Sequence, residues 1–324
     1  MLAHPAGRPG KRFLRGTRSR QTMRPAEVLE SYSHMMVLAL VLGLLLGGFP
    51  ALTKEISMAS LALLMTFSLA NIRLGEAFGK GQVKDAAVAL FLNYVVLSGV
   101  ILAMGWMFAD EIWWGWILMA AAPSAVSVVP FTTIMGGRTG GVLFATAANY
   151  ILALALMPII SLLFIGSAVS SWSLVSYLLV LIALPMVLSR GVMRLGLAKR
   201  TSTVTMNLAF AILIFAVAGA NRNAFFDDPL LVLAVSVACM VRTFGTGLGT
   251  EYVLRRMGRP KEERIGHVLF ASYKNLGLTA TVAIALFEPM VAVPATICIV
   301  FEVVWVIWLA RFYSRVSGPS EGKT

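Results

Sequence analysis

Long apolar runs alternate along the chain with short polar linkers, and ten of the runs are long enough to be read as membrane-spanning helices. A hydrocarbon core of about 30 Å requires about 20 apolar residues at a helical rise of about 1.5 Å. The stretches are 34–50, 55–72, 85–108, 113–135, 140–166, 172–194, 203–220, 229–252, 265–287 and 290–312. The linkers are too short to hold a soluble domain. The pattern predicts an all-α integral membrane protein of ten transmembrane helices. These divide into two fives, 34–166 and 172–314, and an odd number of crossings per half makes the second run inverted relative to the first.

Two internal echoes favour that division. The second span of each half ends alike, in Ala70-Asn71-Ile72-Arg73 and Ala220-Asn221-Arg222. The fourth span of each half carries polar, helix-weakening sequence, APSAVSVVPFTT at 122–133 and ASYKNLGLTAT at 271–281. Pro123 and Pro130 remove backbone donors and Gly277 loosens the ladder, so helices 4 and 9 are predicted to be broken. Unpaired backbone groups cannot face lipid, so such breaks belong in protein or beside a water-filled cavity. A kinked but continuous helix, its Ser and Thr bonded back to their own turns, is the plainer alternative.

Composition agrees with the membrane class: 58% of the residues are hydrophobic and 13% charged. The net charge of +12 would suit a nucleic-acid partner, but its placement argues otherwise. With the amino terminus inside, 23 of the 27 Lys and Arg fall in cytoplasmic segments. That is the bias of an inner (plasma) membrane protein with both termini cytoplasmic, and its partner is the lipid bilayer rather than nucleic acid. Residues 1–33 read as a disordered basic tail, with Met23 as an alternative start, and 315–324 as a second tail. The two cysteines, Cys239 and Cys298, and three scattered histidines show no metal-ligand spacing and imply no cofactor. Trp113, Trp114, Trp116, Trp305 and Trp308 read as interfacial or lipid-facing aromatics.

Three charges stand at membrane depth: Arg242, Lys274 and Glu302. Counted along their spans, they lie about 14–20 Å from a span end, close to the midplane. A charge there costs about 2.5–3.5 kcal/mol on insertion scales and usually faces a cavity or a partner. Glu302 paired with Arg242 or Lys274 is the structural account, and it still leaves one cation over. An anionic cargo would compensate that cation. Neutral polar residues available to complete a pocket are Asn93, Ser124, Ser127, Thr132, Thr133, Thr146, Ser272, Asn275 and Thr279.

Taken together, APSAV at 122–126, ASYKNLGLTATVAIALF at 271–287 and VPATICIVFE at 293–302 resemble the bile acid:sodium symporter superfamily, which includes an arsenite efflux branch. The resemblance spans about residues 34–314, which takes in all ten helices. It implies two inverted five-helix repeats with the broken helices 4 and 9 crossing, and a core of spans 3–5 and 8–10 moving against a panel of spans 1, 2, 6 and 7. It also implies an organic-anion substrate, often carried with sodium. The family's sodium ligands are largely replaced: its acidic residue falls on Phe270, a Gln on Lys274 and a Ser-Asn pair on Val128-Val129, while Asn93 and Thr146 match a Gln and a Thr. The Lys274 ammonium is then a candidate to fill the volume of the missing ion. Glu302 matches a carboxylate of the arsenite branch, but Ser124 stands where that branch has its cysteine. Soft thiolate coordination of arsenite is thereby lost.

These residues predict a secondary transporter of a small organic anion, working by alternating access at a midplane site. Sodium and protons are the candidate coupling ions, and homo-oligomerisation is left open. A uniporter or channel and a membrane-embedded enzyme are the alternatives. No nucleophile-base pair or phosphate loop in the sequence favours the enzyme.

Overall fold

The computed structural model describes residues 32–70, 82–166, 170–197 and 199–316. The terminal tails fall almost wholly outside these residues, as does the first echo at Asn71–Arg73. Among the described residues every regular element is helical.

Six helices are long and apolar enough to cross a membrane: α3 (Gln82–Gly105), α6 (Thr139–Ile165), α7 (Trp172–Arg194), α8 (Arg200–Ala220), α10 (Pro229–Arg256) and α13 (Pro289–Arg315). The other stretches expected to span are built from shorter pieces. They comprise α1 (Tyr32–Leu46), α2 (Thr53–Ala70), the pair α4 (Asp110–Ala121) and α5 (Val128–Ile134), and the pair α11 (Lys261–Phe270) and α12 (Leu276–Leu286). A short helix, α9 (Arg222–Asp227), precedes α10. The chain is a multi-pass membrane protein.

The helices pack as two groups joined at α12. α8 lies against α1 and α2, and α7 against α2, whereas α3, α4, α6 and α13 pack with α10 and α11; α12 touches α4 and α13 on one side and α2 and α8 on the other. The ends of α4 and α11 that lead into the non-helical stretches are deeply enclosed, whereas Pro130, Thr133 and Ile134 of α5 are exposed. Trp116 to Ala122 and Val268 to Ala271 are all fully buried. Enclosure by protein lets the chain leave the helical ladder there, since lipid offers no hydrogen bonds to freed backbone groups. The enclosure also corrects the reading of two tryptophans, because Trp116 and Trp305 are fully buried rather than lipid-facing.

Two of the long helices contain a widened, π-helical turn around a polar residue that faces inward: Leu92–Leu97 with Asn93, and Val241–Gly245 with Arg242. The interval from Leu92 to Val241 equals that from Ala121 to Phe270, where α4 and α11 stop. Widened turns of this kind commonly mark functional positions.

α1 and α8 touch backbone to backbone. A Cβ on Gly219 would stand 2.1 Å from the Gly48 nitrogen, and one on Gly43 would stand 2.8 Å from the Phe215 carbonyl oxygen. Small residues allow this approach, and neither backbone can yield as a side chain would. Gly219→Ala should therefore cost about 2–3 kcal/mol, at the upper end for overpacking. Thermal unfolding in detergent measures it, with Gly99→Ala, whose Cβ would meet nothing within 4 Å, as the control.

Candidate functional site

The two non-helical stretches, Ala122–Ser127 and Ala271–Asn275, meet at the centre of the enclosed group. The Asn275 backbone N–H donates to the Pro123 carbonyl at 2.7 Å. Asn275 also caps α12, its Oδ1 accepting from the Leu278 N–H at 3.0 Å, while its Nδ2 donates to the Tyr150 hydroxyl at 2.8 Å. The Tyr150 hydroxyl in turn donates to the Ser124 carbonyl at 3.0 Å, and the Ser124 N–H donates to Asn149 Oδ1 at 3.0 Å. Side chains thus satisfy the backbone groups that helical turns would otherwise pair.

The proline and glycine have different places from those the sequence suggested. Pro123 is inside the first interruption. Pro130 is in the first turn of α5, where a missing N–H costs nothing, and Gly277 is in the first turn of α12. A Cβ on Gly277 would come within 3.1 Å of Leu213 Cδ2 on α8, so this glycine serves close packing.

Lys274 is 1% exposed. Its Nζ, with three N–H donors, lies within hydrogen-bond distance of four oxygens, Asn93 Oδ1 at 3.1 Å, Ser98 Oγ at 3.0 Å, Ala120 O at 3.0 Å and Ala122 O at 2.8 Å, and 4.8 Å from the centre of the Tyr94 ring. Three of these features suit a cation: the carbonyls ending α4, where the helix dipole is negative, an amide oxygen and an aromatic face. Asn93 is held for the task because its Nδ2 donates to the Phe270 and Tyr273 carbonyls. Four protein oxygens surround this ammonium.

Arg242 is also fully buried. Its guanidinium donates to Glu302 Oε1 at 2.8 Å and to the Ser272 carbonyl at 2.6 Å. Glu302 Oε1 additionally accepts the Lys274 backbone N–H at 3.1 Å. The pair therefore braces the second interruption, and with all three side chains ionised their net charge would be one positive unit. Ser272 completes the brace, its Oγ accepting from Trp305 Nε1 at 3.0 Å.

A cavity of about 550 Å³ opens beside the crossing. Of the residues singled out in the sequence, Ser127, Pro130, Thr133, Lys274, Asn275, Gly277 and Glu302 line it. Asn93, Ser124, Thr132, Thr146, Arg242, Ser272 and Thr279 are not in its lining. The hydroxyls of Thr132, Thr146 and Thr279 bond back to the carbonyls of Val128, Val142 and Asn275, four residues earlier in each case. The opposite wall is supplied by Ser68 of α2 and by Ser202, Thr203 and Asn207 of α8. Sequence reasoning missed these four: Ser68 stands alone near the end of its helix, and Ser202, Thr203 and Asn207 belong to the polar opening of α8, which reads as an ordinary helix start. The oxygens around Lys274 do not suit sodium while the ammonium occupies them, and Phe270, Val128 and Val129 offer no side-chain oxygen.

The family model for the sodium bile acid symporter family matches residues 56–224, a little over half of the chain. No curated protein matches the chain.

Proposed function

The chain belongs to the sodium bile acid symporter family, and from that premise we propose that it is a secondary transporter of a small organic anion. Ten crossings in two inverted halves, with α4–α5 and α11–α12 as the broken crossing helices, would form the moving core. α1, α2, α7 and α8 would form the panel, and the cavity between the two groups would hold the cargo. Its lining includes Ser68, Ser202 and Thr133, and with both termini cytoplasmic these would lie near inner span ends, which would make this arrangement inward-facing. Both termini would be cytoplasmic and the host membrane the inner (plasma) membrane.

The observation that carries this reading is the Lys274 ammonium held by four oxygens between the two interruptions. It supplies a fixed positive charge at a crossing whose family relatives are named for sodium. Uptake of a stabilising carboxylate, chosen by thermal shift and measured in proteoliposomes, should have the same initial rate in sodium and in choline buffer. Strict dependence on sodium would overturn the substitution.

Passive uniport is favoured as the second reading by the same observation. A covalently held cation cannot be released on one side and taken up on the other, so no sodium gradient feeds through it. Accumulation against a gradient, driven by protons or by exchange, separates the active carrier from the uniporter.

A further inference from the structure

The cavity lining contains two charged residues, Lys274 and Glu302. They do not offer equivalent atoms to a cargo. Lys274 has its Nζ fully committed to protein oxygens. Among the described residues the hydrogen bonds to the Glu302 carboxylate fall on one oxygen: Oε1 accepts from both Arg242 and the Lys274 backbone, and Oε2 takes part in none. The residue shares its stretch of the cavity wall with Ile299, Val303 and Val306 of the same helix, which are apolar. Asn275, the neighbouring amide, has both its Oδ1 and its Nδ2 occupied.

An anionic acceptor in apolar surroundings is costly to leave unpaired once water is expelled. A cargo carrying a hydroxyl or ammonium would complete it, and an otherwise identical cargo lacking the donor would leave it stranded. Sites built to hydrogen-bond a substrate group discriminate strongly against analogues without that group. Meanwhile the single net positive charge of Arg242, Lys274 and Glu302 attracts an anion at longer range, because charges at this depth are poorly screened.

We infer that Glu302 is a specificity-determining residue, and that the cargo is an organic anion that also bears a hydroxyl or ammonium donor for Glu302 Oε2. The inference rests on the anion-carrier reading for its carboxylate half and on Oε2 for its donor half.

Thermal-shift titration of the purified protein separates the two halves. The probes are hexanoate, its terminally and alpha-hydroxylated and aminated derivatives, and hexanol and hexylamine, which lack the carboxylate. At least one donor-bearing carboxylate should bind about tenfold to a hundredfold more tightly than hexanoate, the range for a hydrogen bond to a charged group. In Glu302→Gln the side-chain oxygen can keep Arg242 and the Lys274 N–H while Oε2 becomes an amide donor. There the preference should shrink to within about threefold, since the acceptor is gone. Equal binding of hexanoate and all its derivatives by the wild-type protein overturns the inference and leaves the anion cargo standing. Hexylamine or hexanol binding as tightly as the derivatives overturns the anion half and upholds Glu302 as the donor site. Failure of every probe sinks both. The wild-type comparison stands alone if Glu302→Gln does not fold.

Discussion

Lys274→Met is expected to reduce uptake to background and to cost about 2 kcal/mol of stability, read from proteoliposome transport and thermal unfolding in detergent. Methionine nearly matches the volume but donates nothing, so Asn93 Oδ1 and the Ala122 carbonyl lose their donor to this side chain, while the Ala120 carbonyl keeps the Ser98 hydroxyl at 2.6 Å. Relief of a buried charge offsets part of that loss, which keeps the net figure modest. Arginine should not rescue, because a flat guanidinium cannot take the place of a compact ammonium among four converging oxygens. Lys274→Ala, which opens room beside the same oxygens, should regain stability and some uptake on addition of sodium. No response to any small monovalent cation would argue that the oxygens hold the ammonium for packing alone.

Arg242→Met should have the larger effect on folding, about 3–5 kcal/mol, the usual result of removing one partner from a buried ion pair. It leaves Glu302 uncompensated and takes the donor from the Ser272 carbonyl, both at the second interruption. Combining it with Glu302→Gln should recover at least about 1 kcal/mol relative to the sum of the single changes, since the two residues act as a unit. Additive losses would mean that the 2.8 Å contact contributes little.

Much of this arrangement was legible beforehand because membrane depth penalises polarity. Arg242, Lys274 and Glu302 stood out against apolar runs, and the motif around Pro123 and Lys274 pointed to the family. Direction was not legible. Whether the Lys274 ammonium turns to the cavity or into the protein depends on Asn93 and Ser98, far away in sequence and brought near by the packing of α3. The threonines show the same limit. Thr132, Thr146 and Thr279 read as candidate ligands, yet each spends its hydroxyl on its own helix. Ser68, Ser202, Thr203 and Asn207 gave the opposite error, because a serine near a helix end, or a polar first turn such as that of α8, is ordinary until a cavity is seen beside it.

The widened turns in α3 and α10 have a geometric consequence. Each accommodates an extra residue in its circuit, so the parts of the rod before and after it are out of phase by roughly 100° relative to an unbroken α-helix. Winding the same residues as an ordinary α-turn would swing the downstream side chains to another azimuth, whereas excising one residue would restore a regular screw and leave them about where they are. Asn93 and Arg242 therefore owe their aim to a counting irregularity in the backbone as much as to their own identity.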